Sequence, residues 1–206
     1  MRKLTKKTLD QLASEMPLIS QNVQNSMFGR AYYYDLNDGS FIACVGDSPE
    51  IRLIDSSTYP AALAASLGGI TGNSNNLTGS VPFKSGNSQQ RENVIRTIAT
   101  EVGIGSSYLT VTNLNDSSLY GQYSNSQDMI TINSYSKLFE NGNYNDFYCL
   151  LKHEQYHSNN YIPDDSAYNE YNAYNYVNNE VPQFNYASDD YRQHSLDNEQ
   201  YFGSLL

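Results

Sequence analysis

The sequence predicts an α+β domain, and three observations carry that expectation. Apolar residues recur at helical spacing over 88–102, 145–157 and 166–177. Three short runs of strand-forming residues lie between the first two of these, at 108–112, 119–123 and 129–133. The resulting order is helix, strand, hairpin, helix, helix.

In chain order, residues 3–16 read as a short amphipathic helix. Leu4, Leu9, Leu12, Ala13 and Met16 fall on or near one face, and Pro17 ends it. A polar stretch follows to Gly29. Residues 31–87 are poorly defined by pattern. Within them 41–45 and 51–54 are strand candidates, 61–67 is a candidate short helix, and the Gly-, Asn- and Ser-rich stretch 71–86 reads as a loop or boundary. From 88 to 102 Val94, Ile95, Ile98, Ala99 and Val102 share one helix face, with Ser88 as the expected cap and Gly103 as the stop. The runs 119–123 and 129–133 are joined by a turn over 124–128, which makes them a hairpin. The helix over 145–157 carries Phe147, Tyr148, Leu150 and Leu151, holds no Gly or Pro, and has Asn145 or Asp146 to cap its start. On the last helix, 166–177, Ala167, Tyr171, Tyr174 and Val177 form an inward stripe, with Asn169, Asn172, Asn175 and Asn179 expected outward. No internal repeat is present.

Composition narrows the function classes. A chain of 206 residues can bury a proper core. Its net charge of −10 disfavours nucleic acid and anionic membranes as partners held by general electrostatics. The acidity is spread along the chain, as a solubility feature is. No stretch is long and apolar enough to span a membrane. The basic start lacks an apolar segment behind it, so a Sec-type signal peptide is not expected. Two cysteines, Cys44 and Cys149, allow neither a zinc ribbon nor a disulfide framework. Free thiols are the expectation, with a single bridge the alternative if the chain is exported.

The chemistry concentrates at His153, Glu154 and His157, which spell H-E-x-x-H and use two of the three histidines in the chain. Residues four apart lie one above the other on a helix face, about 6 Å apart along the axis. Two imidazoles at that spacing can close on one metal ion. Glu154 is turned away from the metal yet can reach a water bound to it. That pattern supplies two ligands and a general base, and it is the zinc signature of metallopeptidases. Catalytic zinc takes a third protein ligand and keeps one position for water. Glu170 is the favoured third ligand, because it sits among the apolar residues of the following helix, where an unpaired carboxylate is costly. The segment 158–165 is long enough to turn that helix back beside His157. Asp164, Asp165, Glu180 and His194 are the rivals. An oxyanion donor is also wanted; Tyr161, Tyr168, Tyr174 and His194 are candidates, and none is singled out.

These residues carry a resemblance. The H-E-x-x-H helix, preceded by a helix and strands over 88–133 and followed by Glu170 and Ala173 in a Glu-x-x-Ala stretch, resembles the gluzincin-like zinc metallopeptidases of the zincin fold. The metzincin branch needs Gly at 160 and His at 163, where this chain has Asn160 and Pro163. The resemblance covers about residues 88–178. It implies a small zincin-like domain with a backing helix, a short twisted mostly antiparallel sheet, an H-E-x-x-H helix and a glutamate helix. It further implies a Zn2+ cofactor held by His153, His157 and Glu170, with Glu154 as base, and a peptide or protein substrate lying along the sheet's edge strand. The alternative is a secreted effector or peptide-binding protein that keeps this scaffold with little turnover. A structural zinc domain, closed by four protein ligands, is a further rival.

The start of the chain resembles the leaders of exported peptides and small proteins of Bacteroidetes-type bacteria. Those leaders end in Gly-Gly, where this chain reads Phe28, Gly29 and Arg30. The division expected is therefore a leader-like or pro-segment over 1–30 and a catalytic domain over 31–206. Within the latter, 31–87 is poorly defined, 88–178 is the core and 179–206 a C-terminal tail. Secretion or a cell-surface location follows from the leader-like start, with a cytoplasmic location as the alternative.

Overall fold

The computed structural model describes residues 31–45, 49–60 and 79–206, and the leader-like helix over 3–16 and the helix expected over 61–67 lie outside them. Runs of Tyr, Phe, Ile and Val pair as strands. β1 (Ala31–Asp35), β2 (Phe41–Val45), β3 (Ile51–Ile54) and β4 (Val81–Pro82) form one sheet in the order β2-β1-β3-β4. β1 runs parallel to β3, and the other two pairings are antiparallel. β5 (Leu109–Thr112), β6 (Gly121–Ser124) and β7 (Met129–Asn133) form a second sheet in the order β5-β7-β6. There β5 is parallel to β7 and β6 antiparallel to it. The single sheet expected from sequence is therefore two small, mostly antiparallel ones. The expected loop over 71–86 ends in β4 and a 3₁₀ turn at Phe83–Ser85, because Val81 and Pro82 pair with Leu53 and Arg52.

Among the described residues there are five α-helices: α1 (Ser88–Glu101), α2 (Leu138–Asn141), α3 (Tyr144–Asn160), α4 (Ser166–Glu180) and α5 (Asp189–Gly203). The fold class is thus α+β. α1 is capped one residue earlier than expected. The Asn87 side chain accepts the N–H of Gln90, and the Gln90 side chain accepts the N–H of Asn87, a reciprocal capping box. Val94, Ile95, Ile98 and Ala99 face inward from α1, as the spacing predicts. They meet Leu53 of β3, Leu109 of β5, Ile130 and Ile132 of β7, and Phe147 and Leu151 of α3 in one core. Gly39, at φ +74°, lets the β1–β2 turn lie on α1; a Cβ there would sit 2.5 Å from the Asn93 Cβ.

The stretch 179–206, set apart as a tail, carries α5, which packs along α4. Both aromatic and polar contacts hold it there, Tyr174 stacking on Phe202 among them. The amides of Asn175 and Asn178 each donate to Glu199, at 2.8 and 2.6 Å, and the Ser195 hydroxyl donates to Asn178 at 2.6 Å. Asn175, expected to face outward, is therefore part of a helix–helix seam. Cys44 and Cys149 do not form a disulfide with each other, and Cys149 is fully buried in the core.

Candidate metal centre and cleft

α3 begins at Tyr144, with Asn143 as its cap in place of the expected Asn145 or Asp146. The Asn143 side chain accepts the N–H groups of Asn145 and Asp146, and Asp146 accepts the N–H of Asn143 in return. Phe147, Leu150 and Leu151 anchor the helix in the core, which fixes its rotation. His153, Glu154 and His157 are buried at 5%, 3% and 6% exposure. After Asn160 the chain turns over 161–165. Asp164 takes a left-handed conformation, φ +64°, and the Asp165 side chain caps α4 by accepting the N–H of Tyr168.

Asn169 was expected on the outer face of α4. It is buried instead, and its amide clamps the turn: it donates to the Ile162 carbonyl at 2.7 Å and accepts the Ile162 N–H at 2.9 Å. The next residue is Glu170. With the turn clamped and small Ala173 fully buried, α4 lies against α3 and brings Glu170 level with the two histidines.

The three side chains form a small triangle. The Nε2 atoms of His153 and His157 are 3.0 Å apart. Glu170 Oε2 is 3.3 Å from His153 Nε2, and Glu170 Oε1 is 3.4 Å from His157 Nε2. Around a tetrahedral zinc with bonds of about 2.0–2.1 Å, neighbouring ligand atoms stand about 3.3–3.4 Å apart. Two ring nitrogens facing each other at this distance also call for a cation or a shared proton between them. The donor set therefore fits a metal ion, and among the described residues no other His, Cys, Asp or Glu joins the cluster. Of the rival ligands, Asp164 and Asp165 are exposed in the turn and Glu180 is exposed at the end of α4.

Electrostatics agree with that role. Burial, the largest influence, holds the His153 imidazole below its ordinary pKa against the pull of Glu170. Burial alone raises the Glu170 carboxyl, but the facing imidazoles of His153 and His157 hold it well below the usual carboxylate range. Glu154 is pushed well above its ordinary value, by burial first and then by the Glu170 charge. Its Oε2 is buried and makes no hydrogen bond among the described residues.

The triangle opens into a cleft of about 640 Å³. α3 and α4 form its floor, β6 one wall and α5 the other. Tyr174 and His194 both line it, and the Tyr174 ring centroid is 4.3 Å from that of His153. Burial, then the carboxylates of Glu170 and Glu154, raises the Tyr174 phenol, which keeps its proton. His194 projects from α5, with its ring 4.3 Å from that of Tyr120. Tyr161 stands at the rim, while Tyr168 is exposed outside the cleft lining. The sequence pattern missed α5 as a wall, though His194 itself was a candidate.

β6 is an edge strand of its sheet. The Tyr120 carbonyl accepts the N–H of Asn133, and Gly121 lies opposite Ile132. In an antiparallel ladder the bonded and non-bonded positions alternate. Gly121 and Tyr123 therefore turn their N–H and C=O groups toward the open edge, and both residues line the cleft.

Comparison with protein-family models, with curated proteins and with solved structures finds no match, so the functional reading rests on this geometry.

Proposed function

We propose that the chain is a zinc-dependent peptidase of gluzincin-like type, with His153, His157 and Glu170 as ligands and Glu154 as general base. The observation that carries this reading is the ligand triangle, 3.0–3.4 Å on each edge, with a buried, unpaired carboxylate oxygen on the adjacent Glu154. A set of three ligands favours a site with an open position over a structural zinc, which is closed by four.

Zinc held by His153, His157 and Glu170 would supply a Lewis acid that acidifies water and polarises a carbonyl oxygen. The protein's own groups do the rest. The outward N–H and C=O groups of Gly121 and Tyr123 hold an extended peptide by strand addition along β6. Glu154 takes a proton from the attacking water as the water oxygen bonds to the peptide carbon. It then delivers that proton to the amide nitrogen as the C–N bond breaks. Tyr174 and His194, both lining the cleft, are the candidate donors to the oxygen that gains negative charge. The leader-like start supports an exported enzyme acting on extracellular peptides.

The test is a peptide mixture incubated with the zinc-loaded chain and read by mass spectrometry for new termini. Cleavage by the native chain, lost in Glu154→Gln with zinc still bound, is the expected result. A chain that holds one zinc and cleaves nothing would overturn the peptidase reading and favour a peptide-binding protein.

A further inference from the structure

β6 holds a glycine where a strand has little use for one. Gly121 is not among the glycines with positive φ, which are Gly39, Gly79 and Gly103 among the described residues. Its backbone is extended strand, paired opposite Ile132, and any L-residue can adopt that conformation. Glycine inside a strand weakens it and marks a site where another group approaches closely. Here the approaching group is Glu154. A Cβ on residue 121 would lie 2.8 Å from Glu154 Oε1, 3.3 Å from its Cδ and 3.2 Å from the Thr131 carbonyl oxygen. The closest of these is the carboxylate of a side chain that is 3% exposed. That carboxylate is the far end of a side chain that lines the cleft, so it can give way only by shifting, and a shift moves it from its place beside the His153, His157 and Glu170 triangle.

We propose that Gly121 is a positioning residue: its missing side chain is the space that holds the Glu154 carboxylate in its working place. The inference rests on the peptidase reading for its kinetic consequence, but the contact itself does not. Gly121 also has its N–H and C=O on the open edge, so one residue receives the substrate strand and seats the base. These two duties separate on substitution. Alanine keeps both backbone groups and adds only the Cβ.

The experiment compares four zinc-loaded full-length chains: native, Gly121→Ala, Glu154→Ala and the double variant. Zinc content, thermal midpoint and peptide hydrolysis are read for each. Gly121→Ala should keep its zinc, because no ligand atom is among the atoms its Cβ meets. It should lower kcat by about 100-fold, the cost of misplacing a reacting group by roughly 1 Å, while KM stays within about threefold. It should lower the thermal midpoint in the native background and change it little in the Glu154→Ala background, where the carboxylate is gone. Should Gly121→Ala fail to fold alone yet fold beside Glu154→Ala, the contact is established by rescue. An equal loss of midpoint in both backgrounds would place the clash at the Thr131 carbonyl and overturn the proposal, as would an unchanged kcat in an active enzyme. If the native chain cleaves nothing, the peptidase reading fails, and the midpoint comparison still decides whether Gly121 seats Glu154.

Discussion

The carboxylate of Asp146 accepts the backbone N–H of Ser188 at 2.7 Å, joining the starts of two helices 42 residues apart. Its other oxygen accepts the N–H of Asn143 at 2.9 Å, inside the capping box of α3. Ser188 is itself the cap of α5, accepting the N–H of Tyr191. One buried side chain therefore sets α5 against the helix that carries His153, Glu154 and His157. A carboxylate is favoured there because both partners are N–H groups at helix N-termini, where the helix dipole is positive. Burial still raises its pKa above the ordinary value, because the N–H groups of Asn143 and Ser188 offset desolvation only in part.

Replacing Asp146 with Ala should cost about 2–4 kcal/mol, the sum of a lost cap and a lost charge-assisted hydrogen bond to a buried N–H. Denaturant unfolding would measure it. The histidine pair lies on the same helix but is anchored by Phe147, Leu150 and Leu151, so zinc stoichiometry should survive in the folded fraction. A cost below about 0.5 kcal/mol would mean that water replaces the carboxylate and that Asp146 does not hold the two helices together.

Asp35 gives the fold a pH dependence on the acid side. Burial would raise its carboxyl, but Ser56 and the N–H groups of Asn37 and Asp38 outweigh burial and hold it below its ordinary 3.8. A group whose folded pKa is depressed binds fewer protons in the folded state. Its contribution is present above the unfolded value and is lost as pH falls through the depressed one. Unfolding midpoints taken from about pH 6 to about pH 2.5 should fall further for the native chain than for Asp35→Asn. Parallel curves would remove Asp35 from the acid response.

Much of the candidate site's geometry was legible because its spacing is local. A helix period alone puts His153 and His157 on one face, and a carboxylate among apolar residues marks Glu170 as needing a partner. The runs at 129–133 and 88–101 were legible for the same reason, since their apolar faces are regular. Polar seams were not. Asn169 and Asn175 look solvated to any scale that ranks residues by polarity, yet one clamps the turn before α4 and the other binds Glu199. α5 gives no clear apolar stripe, because Ser195 and Glu199 supply part of its contact with α4 by polar bonds. β1 escaped notice because Tyr32, Tyr33 and Tyr34 give a run without alternation; Tyr33 and Tyr34 are both fully buried, on different clusters. Gly121 did leave a signal, a glycine inside a strand pattern, but its reason is a contact 33 positions away.

Among the described residues the cleft lining contains Asp116, Glu154 and Glu170 and no Lys or Arg. A zinc ion held by the proposed triangle would offset the charges of Glu154 and Glu170, which leaves Asp116 at the end of the cleft where the chain enters β6. A peptide that places Asp or Glu at that end should be cleaved severalfold more slowly than its Asn or Gln counterpart. Raising salt should shrink the difference, because the Asp116 carboxylate is solvent-screened. Asp116→Asn should remove it. Equal rates for both peptides in low salt would show that the substrate does not pass Asp116.

Glu170 is the most decisive of the three ligands to test, because its position depends on the fold of the turn and not on helix period alone. Glu170→Ala leaves two imidazoles and removes the only charged ligand, so zinc affinity should fall by about 100-fold or more. Asp164→Asn should leave affinity within about threefold, since Asp164 is exposed and its left-handed conformation is one Asn also tolerates. Asp165→Ala removes the cap of α4 and should cost about 1 kcal/mol of stability with little change in affinity. Asn169→Ala separates position from ligation. It leaves every ligand in place but frees the turn at Ile162, so it should weaken zinc binding less than Glu170→Ala and more than Asp164→Asn. Competition with a zinc-sensitive dye ranks the four variants on one scale. If Asp164 or Asp165 carries the loss and Glu170 does not, zinc takes its third ligand from the turn, and the triangle formed by His153, His157 and Glu170 is not the binding site.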